Sequence, residues 1–253
     1  MGGGMQFDEC ARLILWDIDH TLLDGGGVSR DAYRSAFTRV TGRPMSRMAD
    51  MTGKTDLLIA SETLRLHDID PDPGTLTTFI TAVAEELEAR ADLLAVRGHV
   101  LPGVPEALGT LSRVPGVRQS VLTGNMRILA ELKLSVFGLG EHLDLDAGAY
   151  GDDAEERVAL LPSAWKRAQL HYRRDFSATE TVIVGDTLMD IATAKAGDAR
   201  VVAVATGSVS ADELHRGGAD IVLPDLADTQ AVLDAVLGAN AGEASGSLTK
   251  LSE

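Results

Sequence analysis

With 253 residues and a formal net charge of −15, the chain is acidic and long enough for one large α/β domain, or for a core domain with a smaller insert. That charge argues against nucleic acid or an anionic membrane surface as a partner, and it requires a local cation, a metal or a placed Lys or Arg, for any anionic ligand. No apolar run approaches the length of a bilayer span, the glycine-rich start lacks a signal peptide's apolar core, and the single cysteine, Cys10, excludes an intrachain disulfide framework and suits a reducing cytoplasm.

Taken in chain order, residues 1–10 read as a flexible lead. The first strand is predicted over residues 13–17, since Leu13-Ile14-Leu15-Trp16 is an unbroken apolar run of strand length. It ends in two carboxylates one residue apart: Asp17 at the strand's carboxyl end and Asp19 just beyond, where open α/β sheets bind ligands. Two acids crowded in this way suit a divalent cation, or a nucleophile beside a proton donor. A polar strand exit, where aspartate is common, is the plainer alternative.

From residue 28 to about 96 the sequence shows helical spacing and no convincing strand. Ala32, Tyr33, Ala36, Phe37 and Val40 share one helix face, and Thr55 is placed to cap a helix running through Leu58 and Leu64. Residues 79–94 form a longer amphipathic stretch, with Pro71, Pro73 and Gly74 marking the turn before it. A helical block directly after the first strand reads as a cap over that strand's end. The chain re-enters the core near Leu101-Pro102-Gly103-Val104-Pro105.

Beyond this point strands over 117–123, 181–186, 200–205 and 221–223 alternate with helices over 106–114, 126–137, 157–172, 188–196 and 229–237, the pattern of a parallel sheet. Residues 238–253 hold too few apolar side chains to pack. Thr123-Gly124-Asn125 puts a hydroxyl between a strand end and a helix start, which is either a phosphate site or a simple helix cap. Gly185-Asp186 ends another strand, with Asp190 one helical turn later. Asp186 can join Asp17 at a cation while Asp190 ligates it or orients the site; otherwise Asp186 caps the helix and Asp190 lies on a solvated face. Gly185 allows a close backbone approach. Arg157 can neutralise an oxyanion by bidentate contact, or pair at the surface with Asp153 or Glu155.

The joint order Asp-x-Asp-x-Thr, Thr-Gly-Asn, basic residue, Gly-Asp-x-x-x-Asp resembles the haloacid dehalogenase superfamily of hydrolases, specifically its helical-cap phosphatases such as phosphoglycolate phosphatase. The likeness extends over residues 12–237. It implies a doubly wound, Rossmann-like α/β core over residues 11–24 and 98–237, an inserted all-helical cap over 25–97, and a flexible tail over 238–253. It also implies a phosphatase acting on a small phosphorylated metabolite, as a monomer or homodimer. Asp17 would be the nucleophile that becomes an aspartyl phosphate, and Asp19 the general acid and then base. Magnesium would be held by Asp17, the Asp19 main-chain carbonyl and Asp186, with Asp190 beside them. Thr123, Gly124 and Asn125 would bind phosphate oxygens, and Arg157 would supply the basic group.

An acid at position 19 favours phosphate chemistry, because a halide leaving group needs no proton. Two departures stand out. His20 occupies a position where the family usually has glycine, so its imidazole binds substrate or points away while its backbone N–H serves. Arg157 stands where the family usually has lysine, and a shifted alignment would transfer that role to Lys166. Arg43, Arg47 and Lys54 are candidates to contact a second anionic group of the substrate. A phosphonatase, with Lys54 as Schiff-base lysine, and a sugar-phosphate mutase are rivals on the same scaffold. A receiver-like phospho-accepting module is a rival of another class, against which the helical insert and the chain length speak.

Overall fold

The computed structural model describes residues 11–238. Cys10, the rest of the glycine-rich lead and the tail beyond Gly238 lie outside the described residues. The chain opens on β1 (Arg12–Trp16), which sits between β4 (Val117–Val121) and β5 (Thr181–Gly185). Outward from β5 come β6 (Arg200–Val204) and β7 (Ile221–Leu223), and every pairing in this five-stranded sheet is parallel. Strand direction of travel therefore reverses between β1 and β5, which is where such sheets open a crevice at their carboxyl ends.

Side-chain alternation sorts β1 between two apolar layers. Ile14 and Trp16 point into a core shared with α5 (Val104–Leu111), α6 (Arg127–Val136) and α10 (Thr229–Leu237). Leu13 and Leu15 face the opposite layer, packed by α7 (Leu160–Tyr172), α8 (Leu188–Ala196) and α9 (Ala211–Gly217). Burial on both faces is why β1, β5 and β6 read as near-continuous apolar runs, whereas β4 at the sheet's edge carries Arg118, Gln119 and Ser120.

Between β1 and this core lies the helical block: α1 (Val28–Thr41), α2 (Asp56–Arg65), α3 (Pro73–Glu88) and α4 (Ala91–Arg97). Its own apolar cluster centres on Phe79, whose ring meets Tyr33 at 5.8 Å and Phe37 at 5.9 Å, both edge-on. Met126 and Leu129 of the α6 segment complete that cluster and seat the block on the core. The chain leaves and returns through two short antiparallel strands, β2 (Leu23–Asp24) and β3 (His99–Val100).

Thr55 caps α2, accepting a hydrogen bond from the Leu58 N–H. The stretch expected as one helix over 79–94 is instead two. Arg90 leaves the helical region at φ −111° and ψ 16°, and its guanidinium turns back to the Glu86 carbonyl and to Ser35. Pro73 belongs to the first turn of α3 rather than to the turn before it, where a missing N–H costs nothing. Helix α9 was not foreseen, although Ser210 and Glu213 form a reciprocal capping box that spells out its start.

Candidate active site

Asp17 follows directly on β1, its N–H donating to the Val184 carbonyl of β5 at 2.8 Å, so its carboxylate stands at the sheet's point of reversal. Asp186 leaves the neighbouring strand at the same level. Asp190 reaches the pair from the first turn of α8, where it caps the helix by accepting from the Thr187 N–H at 2.9 Å. This approach requires Gly185: a Cβ there would lie 2.2 Å from the Asp190 carboxyl carbon. Asp190 is fully buried, which excludes the solvated-face alternative. Asp17, Asp186 and Asp190 each offer a carboxylate oxygen within 4.8 Å of the others.

Arg157 is also buried, in a 3₁₀ turn ahead of α7, and its Nη2 lies 2.9 Å from Asp17 and within bonding distance of Asp190. That burial excludes its surface alternative, and Asp153 is bound by Arg167 instead. Lys166 is exposed on α7 and takes no part in the cluster. One guanidinium faces three carboxylates, and the imbalance registers in their acidity. Burial, together with Asp190 and Asp19 and against the pull of Arg157, raises Asp17 to about 6. Burial, then the charges of Asp17 and Asp190, raises Asp186 to about 8. Burial opposes the charge on Arg157, yet Asp17 and Asp190 hold it above its ordinary range. A divalent cation fits this donor set: all-oxygen ligands, excess negative charge and deep burial of the carboxylates.

Asp19 lives in different company. Both of its oxygens accept from the Lys133 ammonium, at 2.8 and 2.7 Å, and Oδ2 also accepts from the Asn125 amide at 2.8 Å. Burial works against its charge, but Lys133 and Asn125 hold its carboxyl below the usual range. Asn125 donates as well to the Thr123 hydroxyl at 2.9 Å, so Thr123 belongs to this network rather than capping α6. Thr21 donates to Asp186 at 3.1 Å, explaining the threonine of the first motif.

His20 has φ 58°, a left-handed conformation in which glycine is the usual occupant. Its N–H donates to the Leu23 carbonyl at 2.7 Å and is therefore already engaged, while its half-exposed ring stands 3.9 Å from Asp24.

These groups open into a cavity of about 480 Å³ between the sheet edge and the helical block. Lys54 lines it but is paired with Glu62 at 2.6 Å; neither Arg43 nor Arg47 is among its lining residues. Asp56, which the sequence did not single out, ties the two parts together: its N–H donates to the Gly124 carbonyl at 2.7 Å, and its carboxylate accepts from Met126 N–H and Tyr33 hydroxyl at 2.8 and 2.7 Å. Gly124 is pressed so closely on this loop that a Cβ would meet the Lys54 carbonyl oxygen at 2.1 Å.

The family model for haloacid dehalogenase-like hydrolases matches residues 14–195. Among solved structures, CbbY from Rhodobacter sphaeroides in complex with phosphate superposes with a TM-score of 0.70 at 21% identity, over 88% of this chain and 99% of that one. A predicted phosphatase from Clostridium acetobutylicum gives a TM-score of 0.66 at 17% identity, over 89% and 100%. A predicted phosphoglycolate phosphatase from Haemophilus somnus gives 0.63 at 17% identity, over 90% and 99%. No curated protein sequence matches the chain.

Proposed function

Because the chain belongs to the haloacid dehalogenase-like hydrolase family, we propose that it is a magnesium-dependent phosphatase of a small phosphorylated metabolite, working through a phosphorylated Asp17. The observation that supports this most is the contrast between two acids two residues apart. Asp17 sits with Asp186, Asp190 and Arg157, and Asp19 sits apart with Lys133 and Asn125. A nucleophile and a proton carrier need such separate environments.

In this reading an Asp17 oxygen attacks phosphorus, and the bond from phosphorus to the ester oxygen breaks. The departing oxygen takes a proton from Asp19, which is ionised in the free chain and therefore takes that proton up as the anionic ester enters. Water then attacks the phosphorylated Asp17, Asp19 takes the proton from that water, and the bond to the Asp17 oxygen breaks to release inorganic phosphate. Thr123 and Asn125 orient the phosphoryl oxygens, and Arg157 neutralises charge beside the nucleophile. Magnesium, held by Asp17, Asp186, Asp190 and the Asp19 carbonyl, would offset repulsion between carboxylate and anionic ester. Residues 25–97 act as the cap that closes over the leaving group, with residues 11–24 and 98–237 as core.

The test is hydrolysis of p-nitrophenyl phosphate with magnesium, with excess chelator, and in Asp17→Asn. Turnover is expected only for the unaltered chain with the metal, with the variant's circular dichroism unchanged. Wild-type rates in Asp17→Asn, or undiminished rates in chelator, would refute the nucleophile or the metal respectively. A panel of phosphorylated metabolites then identifies the natural ester.

A further inference from the structure

Lys133 is the one buried lysine among the described residues, and the first motif does not predict it. It stands on α6, and its ammonium has three hydrogens and three acceptors: both Asp19 oxygens and the Asn125 side-chain oxygen, the last at 2.7 Å. Such burial is a poor way to gain stability, since an apolar side chain of similar volume commonly does as well or better. The cation is not needed at the nucleophile either, where Arg157 already stands. Asp19, in contrast, has a side chain 36% exposed and lies next to the left-handed turn at His20. Free of a partner it would turn among several rotamers and into solvent.

We propose that Lys133 is a positioning residue that clamps the Asp19 carboxylate for the second half-reaction, in which Asp19 takes a proton from the water attacking phosphorylated Asp17. The inference rests on the phosphatase reading above and adds to it a residue and a step. The clamp is continuous with the phosphate loop, because Asn125 bridges Asp19 to Thr123. Phosphoryl oxygens bound at Thr123 and the proton acceptor at Asp19 are thereby held in one frame.

The two half-reactions separate the clamp from a merely structural role. An aryl ester such as p-nitrophenyl phosphate leaves without needing a proton, so its first step tolerates a wandering Asp19. The second step is the same for every ester and does not. In Lys133→Met, decay of the phosphorylated protein, followed by rapid quench, should slow on the order of 100-fold, the scale of losing a positioned group. A burst of p-nitrophenolate should appear, while kcat/KM for this ester, which ends at release of the aryl group, stays within about threefold. Asp19→Asn combined with Lys133→Met should decay no more slowly than Asp19→Asn alone.

Unchanged decay, or kcat/KM falling by the same factor as decay, overturns the clamp. A double variant slower than Asp19→Asn overturns action through Asp19. If Lys133→Met does not fold, Lys133→Gln, which keeps one donor to Asp19, reads the same two rates. Failure of the unaltered chain to hydrolyse the ester at all would instead count against the phosphatase reading.

Discussion

The Asp17 side of the cavity and the Asp19 side each set aspartate against a basic side chain and behave in opposite ways. Around Asp17, three buried carboxylates share one guanidinium, and the acidity of Asp17 and Asp186 is suppressed. Around Asp19, one carboxylate meets one ammonium and one amide at the edge of solvent, and its acidity is enhanced. Sequence separation has nothing to do with the difference. Count of charges and access to water decide it: the first cluster is incomplete without added positive charge, and the second is complete.

Removing the cation from each side is the strongest way to break that comparison. Arg157→Met leaves Asp17 and Asp190 buried without a counter-charge, a loss of about 3–5 kcal/mol of unfolding free energy in chelator near neutral pH. Lys133→Met strands a partly exposed carboxylate that keeps its Asn125 donor, together with the Asn125 side-chain oxygen, and should cost less, about 1–2 kcal/mol. Urea denaturation of both variants checks the ordering; equal losses would mean that the two environments do not differ as described.

Much of this arrangement was legible in the chain, and its gaps have physical causes. Five strands were legible, four as apolar runs, since a sheet covered on both faces leaves little polar alternation to confuse the reading, and β4, which carries Arg118, Gln119 and Ser120, by its place in the strand–helix alternation. Asp17 and Asp186 announced themselves by ending such runs. Arg157 could not be told from Lys166 because a surface helix and a buried turn both tolerate a cation there. Lys133 did leave a trace: Leu129, Ala130 and Leu134 share its helix face, and a charge on that apolar stripe implies a buried partner. Its partner, 114 residues away, is not readable from local spacing. The break between α3 and α4 falls at Ala89 and Arg90, good helix formers with no glycine or proline to mark it.

Proton linkage sharpens the contrast by sign. Asp17 and Asp186, raised to about 6 and about 8 in the folded chain, bind protons more tightly there than in the unfolded chain, where aspartate titrates near about 4. Their contribution is therefore fully present below that unfolded value and is lost as pH rises through 6 and then 8. Asp19, lowered, contributes the other way, present above the unfolded value and lost as pH falls through its folded one. In chelator the melting temperature should decline from pH 5 to pH 9. Magnesium should raise it more at pH 8 than at pH 5, because the ion binds the ionised carboxylates. A flat profile in chelator, or an equal magnesium effect at both pH values, would contradict the charge imbalance assigned to the first cluster.

The smallest effect belongs to Thr21, whose hydroxyl donates to Asp186 and whose side chain is fully buried. Thr21→Val keeps the shape and removes the donor, so any change reports on that one hydrogen bond. A bond to an ionised acceptor is worth about 1.5–3 kcal/mol and a neutral pair about 0.5–1.5 kcal/mol. In chelator the variant should therefore lose more stability at pH 9 than at pH 5, with the step between them near the acidity of Asp186, about 8. With that donor gone, the Asp186 carboxyl should titrate still higher, and more magnesium should be needed to reach half of the thermal stabilisation. Calorimetric melts across that pH range test both statements. A loss independent of pH would show that Thr21 packs against Asp186 without supporting its charge, and would leave Asp186 with no polar side-chain donor of its own on this side of the cavity.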